Sequence, residues 1–164
     1  MKRCKWCGQS KWLGLSRERG LCKRCESVVE ADVALREKRI KRALVAMDLA
    51  SNVDVVVAHC NVILQNAEAL LKYERKGIPT VSPSPSQIIH SVKARKDALL
   101  ADVVRREVRG AQHRAQAAFD PRTKVEILAE AFVKVKGVRA KFTNDRVVDA
   151  SLAELSRRIR ELSP

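Results

Sequence analysis

Gly20-Leu21-Cys22-Lys23-Arg24-Cys25-Glu26-Ser27-Val28-Val29-Glu30 joins a pair of cysteines to the start of a long helical pattern, and its reading decides the fold. Upstream lies a second pair, Cys4-Lys5-Trp6-Cys7-Gly8, which completes the spacing C-x2-C-x14-C-x2-C. Two C-x2-C units suit a structural zinc ion, because each wraps the metal locally and only the loop between Cys7 and Cys22 is long. Cys4, Cys7, Cys22 and Cys25 are therefore the expected ligands of one zinc ion. Four thiolates fill a tetrahedral shell and leave no position for water or substrate, so the metal is expected to be structural. Residues 1–25 also contain three glycines and two tryptophans, the composition of a small finger of knuckles and a short β-hairpin.

From Glu26 to Lys76 there is no Gly or Pro. Apolar residues recur at helical spacing through Val33, Ile40, Leu44 and Met47, then Val55, Ala58, Val62, Ala69 and Tyr73. The span 26–76 reads as one long helix, with Ser51-Asn52 as the place where it could break. The β-branched run Val53 to Val57 would also suit a buried strand, but its flanks lack turn residues and the helical period continues beyond it. Gly77 and Pro79 stop the helix, and a linker occupies 77–85. Ser84-Pro85-Ser86-Gln87 fits a capping box opening a second long helix over 86–119. Asp120-Pro121 is another cap, starting a third helix on Val125, Leu128, Phe132 and Val135, which Gly137 could end. Thr143, Asn144 and Asp145 offer the next cap, before a seam of Val148, Leu152, Leu155, Ile159 and Leu162. Residues 120–164 should thus form an antiparallel helical hairpin. The expected fold is mainly α, with about four helices after the finger.

The 164 residues carry 33 Lys and Arg against 19 Asp and Glu, a formal charge of +14. The excess is uneven, with +8 on residues 1–46 and −1 on 47–80. A polyanion is the expected partner, DNA or RNA. Lys5, Trp6, Lys11, Trp12, Arg17, Arg19, Lys23 and Arg24 crowd the finger as candidate nucleic-acid contacts, the cations on phosphates and the tryptophans stacked on bases. The tryptophans could equally cover the metal and pack on the first helix turn. Arg36, Lys38, Arg39, Lys41 and Arg42 extend the charge along the first helix, and Arg105, Arg109 and His113 form a second basic stripe. The nearly apolar 47–80 segment supports a competing reading, a scaffold for a protein partner or for self-association, since so apolar a helix must be covered.

The cysteine arrangement resembles the treble-clef group of zinc fingers, in which the second pair opens a helix. Cys7-Gly8 with Gly20-Leu21-Cys22-Lys23-Arg24-Cys25 is similar to the zinc-containing form of the fourteenth small-subunit ribosomal protein family, which implies rRNA-type binding over about 25 residues. The whole chain, including Tyr73-Glu74-Arg75-Lys76-Gly77-Ile78-Pro79-Thr80, resembles bacterial and phage-type proteins with a finger before long helices.

No catalytic constellation accompanies these features. His59, His90 and His113 lie in separate segments, and Cys60 beside His59 points about 100° away on a helix, among apolar neighbours. No Walker loop, G-x-S-x-G or G-x-G-x-x-G occurs. The expectation is a non-enzymatic protein with no small-molecule substrate. Without an apolar stretch long enough for a membrane, it is expected to be soluble and cytoplasmic, with its thiols reduced.

Overall fold

A computed structural model describes residues 2–11, 15–16, 18–142 and 146–163, with Lys11 described in its backbone only. Two compact units make up the chain, residues 1–93 and 94–164.

The first unit opens with β1 (Lys2–Arg3) paired antiparallel to β2 (Ser10–Lys11), in the register Lys2 to Lys11 and Arg3 to Ser10. Between them the chain turns tightly at Gly8, whose N–H donates to the Cys4 carbonyl at 2.9 Å. Helix α1 (Lys23–Leu49) starts at Cys22, in extended conformation, so the second cysteine pair does sit on the first turn of a helix.

In place of one helix over 26–76, the structure has two. α1 ends at Leu49, Ala50 is extended, and α2 (Val53–Glu74) begins at Asn52, whose Oδ1 accepts from the Asp54 amide at 2.8 Å. The break falls at Ser51-Asn52, where the Asn52 side chain competes with the helical ladder and satisfies a first-turn amide of α2 instead. Turning back is rewarded by burial. Val29, Val33, Ile40, Ala43 and Met47 of α1 and Val56, Val57, Cys60, Ile63, Leu64, Ala67, Leu70 and Tyr73 of α2 are all buried. The contacts fix the direction: Cys60 meets Met47 near the break, and Tyr73 meets Asp32 at the far end, so the pair is an antiparallel hairpin.

α2 closes as the sequence leads one to expect. Gly77 takes φ +63°, a conformation that favours glycine, and the Ile78 amide reaches back to the Tyr73 carbonyl at 3.0 Å. Helix α3 (Pro85–Ala117) follows with a reciprocal capping box: Gln87 Oε1 accepts from the Ser84 amide, and Ser84 Oγ accepts from the Gln87 amide. Glu74 adds a contact from α2, accepting from the Ser86 amide and hydroxyl.

The second unit contains the later part of α3, α4 (Pro121–Arg139) and α5 (Arg146–Leu162). Asp120 caps α4 by accepting from the Thr123 amide and hydroxyl. Gly137 does not end α4, which runs two residues further. The caps expected at Thr143, Asn144 and Asp145 lie outside the described residues. α4 and α5 are antiparallel, since Arg139 at the end of one pairs with Asp149 at the start of the other, 3.1 Å apart. Val104, Ala111 and Ala115 of α3 form a core with Leu128, Ala131, Val135, Val148 and Leu155. Five helices are thus described where about four were expected, the additional one arising from the break at Asn52.

Candidate metal centre

Cys4, Cys7, Cys22 and Cys25 come together at the junction of the finger with α1, their sulfurs all within 4.8 Å of one another. Cys7 and Cys22 are 4.0 Å apart. A tetrahedral ion with metal–sulfur bonds of about 2.3 Å requires sulfur–sulfur edges of about 3.8 Å, so a small inward movement closes the shell. Cys4, Cys22 and Cys25 are buried and Cys7 is exposed.

Backbone geometry brings the sulfurs to this point. Gly20, at φ +66°, turns the chain into the second pair, and its carbonyl accepts from the Lys5 amide at 3.1 Å. A Cβ at Gly20 would lie 3.1 Å from the Lys5 side chain. The Cys22 amide donates to Cys4 Sγ at 3.4 Å. Burial opposes ionisation of Cys4, but amides of Cys7, Cys22 and Trp6 point at its sulfur and bring the thiol down to about 6. Cys25 moves the other way, pushed up to about 12 by its hydrogen bond with Cys22, by burial and by the nearby Cys4 charge. Cys4 thus readily holds a thiolate, and Cys25 resists a second charge beside it. A bound cation is what would allow all four to ionise.

The finger is seated on the far end of α2. Trp6 packs on Tyr73 with ring centroids 4.9 Å apart. Lys76 Nζ lies 4.4 Å from the Trp6 ring centroid and donates to the Trp6 carbonyl at 3.1 Å. In return, Lys5 Nζ donates to the Gly77 carbonyl at 2.7 Å. Beneath these contacts, Tyr73 Oη donates to Asp32 Oδ2 at 2.8 Å, Lys72 pairs with the same oxygen at 3.1 Å, and Arg36 holds Oδ1 at 2.8 Å. Burial works against the Asp32 charge, but Tyr73, Lys72 and Arg36 outweigh it and hold the carboxyl below its usual range. Burial and the Asp32 charge push Tyr73 upward.

These contacts redistribute the candidate nucleic-acid residues. Lys5 and Trp6 are engaged within the fold, and Arg19 pairs with Glu30 at 3.2 Å. Trp12, Arg17 and the side chain of Lys11 lie outside the described residues. The side chains of Lys23 and Arg24 are exposed and have no hydrogen-bond or ion-pair partner among the described residues, and the same holds for those of Lys38, Arg39 and Arg42 further along α1. Arg36 is taken by Asp32, and Lys41 by Glu37 at 2.7 Å. On α3, Arg105 and Arg114 pair with Asp102 and Glu107, while Arg109 and His113 stay exposed.

Cys60 is buried, its thiol directed at Met47 Sδ 3.5 Å away. Among the described residues no helix is long and apolar enough to cross a membrane.

The Asp32 network escaped the reading of the sequence. Asp32 and Arg36 stand at helical spacing, but on one continuous helix Asp32 and Tyr73 would be about 60 Å apart. Only the reversal at Asn52 brings them into contact. No protein-family model, curated protein or solved structure matches the chain.

Proposed function

We propose that the four cysteines hold one structural zinc ion and that the protein is a non-enzymatic binder of nucleic acid, acting mainly through phosphate contacts in a regulatory or accessory role. Zinc is favoured over other divalent ions because an all-thiolate tetrahedral donor set matches its preference and closes its shell. The absence of an open coordination position also speaks against metal-assisted catalysis at this centre.

The observation that carries the nucleic-acid reading is the row of exposed cations, their side chains without a partner among the described residues, that begins beside the cysteine centre and continues along α1: Lys23, Arg24, Lys38, Arg39 and Arg42. Cations whose charge is not spent on carboxylates are available to phosphates. Lys5, Trp6 and Arg19, by contrast, orient the finger on its own fold. The interface therefore moves from the finger's tip to the outer side of the helix it opens.

The scaffold reading rested on the apolar 47–80 segment needing cover. Val56, Val57, Cys60, Ile63, Leu64, Ala67, Leu70 and Tyr73 of α2 are buried within the first unit, which covers much of that segment's apolar surface, while Leu49, Val55 and Val62 stay exposed.

Fluorescence anisotropy of labelled duplex and single-stranded DNA and RNA, over a series of salt concentrations, tests the proposal. Five phosphate contacts predict a slope of log K against log salt of about −4. Reversing Arg24, Lys38, Arg39 and Arg42 to Glu should abolish binding, whereas Lys93→Gln, at a cation already paired with Glu68 of α2, should leave it unchanged. No binding to any probe at low ionic strength would refute the reading.

A further inference from the structure

The outer face of α1 is more than a row of charges. At 100° per residue, Arg24, Lys38, Arg39 and Arg42 fall within an arc of about 100°, spread over about 27 Å of helix. The same arc holds exposed aliphatic residues: Val28 is 59% exposed, Leu35 49% and Leu49 82%, with Val45 at its edge. Every acidic residue of α1 lies outside it. Glu26, Glu30, Glu37 and Asp48 are on other sides by helical spacing, and Asp32, the nearest, is turned to Tyr73 and Lys72. The buried residues Val29, Val33, Ile40 and Met47 project from the opposite side, where α2 packs.

Resting on the nucleic-acid reading above, we infer that this face of α1 enters the major groove of duplex DNA, with Leu35 against thymine methyl groups. Phosphates would be met by cations alone and give no use to exposed aliphatic side chains. Base edges in the major groove do, because thymine presents an apolar C5-methyl there. A helix about 10–12 Å across fits that groove, about 12 Å wide, and three or four of its side chains reach the bases. Val28, Ala31 and Leu35 have the i, i+3, i+7 spacing for this, leaving Arg24, Lys38, Arg39 and Arg42 for the flanking phosphates. Duplex RNA fails on both counts. Its A-form major groove is too deep and narrow for a helix, and uracil lacks the methyl.

The test is anisotropy of the full zinc-loaded chain with four probes: a short alternating A·T DNA duplex, the same duplex with deoxyuridine for thymidine, the corresponding RNA duplex, and a DNA single strand. Affinity for the thymine duplex should exceed that for the RNA duplex at least tenfold. Replacing thymine by uracil should weaken binding about fourfold for each methyl buried. Leu35→Ala, half-exposed and favourable to helix, should keep its circular dichroism and its affinity for the deoxyuridine duplex while losing the preference for thymine. Equal affinity for DNA and RNA duplexes, or indifference to the methyl, overturns the groove placement while leaving phosphate binding standing. No binding to any probe overturns both. Binding to phosphatidylserine vesicles alone, or a dimer in light scattering that Leu35→Ala dissolves, likewise assigns the face to a different occupant and overturns the inference.

Discussion

Asp32 shows how much one side chain carries at the junction of finger and hairpin. Its carboxylate accepts from Tyr73 and pairs with Lys72 and Arg36, joining the start of α1 to the end of α2. Asp32→Ala removes the acceptor for a buried tyrosine and should cost about 1–3 kcal/mol in denaturant unfolding. The pH dependence has a definite sign. Because the folded-state pKa is lowered, the stabilisation is fully present above the unfolded value of about 3.9 and is lost as pH falls through the lower folded value. Wild type should therefore lose more stability than Asp32→Asn between about pH 5 and pH 3, and equal losses would contradict the assignment. Trp6 belongs to the same junction. Trp6→Ala removes the ring that lies on Tyr73 and beneath Lys76, and should destabilise the first unit by about 3 kcal/mol without displacing any cysteine.

Among the elements, the break between α1 and α2 has the largest consequences. Asn52 accepts the Asp54 amide, and Asn52→Ala should cost about 1 kcal/mol, measured in urea, with the m-value unchanged. An unaltered stability would mean that burial alone enforces the turn. The same place marks what could be read beforehand. Caps written in local chemistry were legible: Gly77, the Ser84-Gln87 box and Asp120 all act where their residue types place them. The cysteine centre was legible for the same reason, since C-x2-C pairs declare their geometry over four residues. The turn at Ser51-Asn52 lacks Gly and Pro, and the apolar set Val55, Ala58, Val62 and Tyr73 continues the phase of α1, which hides the bend. Yet Val55, Ala58 and Val62 are exposed, and the stripe that α2 buries, Val56, Cys60, Ile63, Ala67 and Leu70, lies on the other side of a continuous helix. Everything that depended on the reversal was hidden with it. Lys5 looked like a phosphate ligand because its true acceptor, the Gly77 carbonyl, is 72 residues away in sequence.

At the scale of the molecule, the metal centre is tied to more of the chain than its cysteines span. A finger attached only to the start of a single helix would lose residues 1–25 and the first turns of that helix when the metal is removed, leaving everything after about residue 45 intact. The observed seating leads to a different outcome. Cys4 and Cys7 flank Lys5 and Trp6, and these two residues hold the turn at Gly77 and the ring of Tyr73. Chelation should therefore release the Trp6–Tyr73 and Lys5–Gly77 contacts together. Amide exchange should accelerate at least about tenfold in α1's first turns and also at Arg75, Lys76, Gly77 and Ile78, whose N–H groups close the end of α2. α4 and α5 share a core with the later part of α3, around Val104, Ala111, Leu128, Ala131, Val135 and Leu155, and their exchange should not change. Cys25→Ser should reproduce the pattern in the presence of zinc. Protection at 75–78 that survives chelation would show that the hairpin holds its far end without the finger, and would return the metal to the role of a local staple.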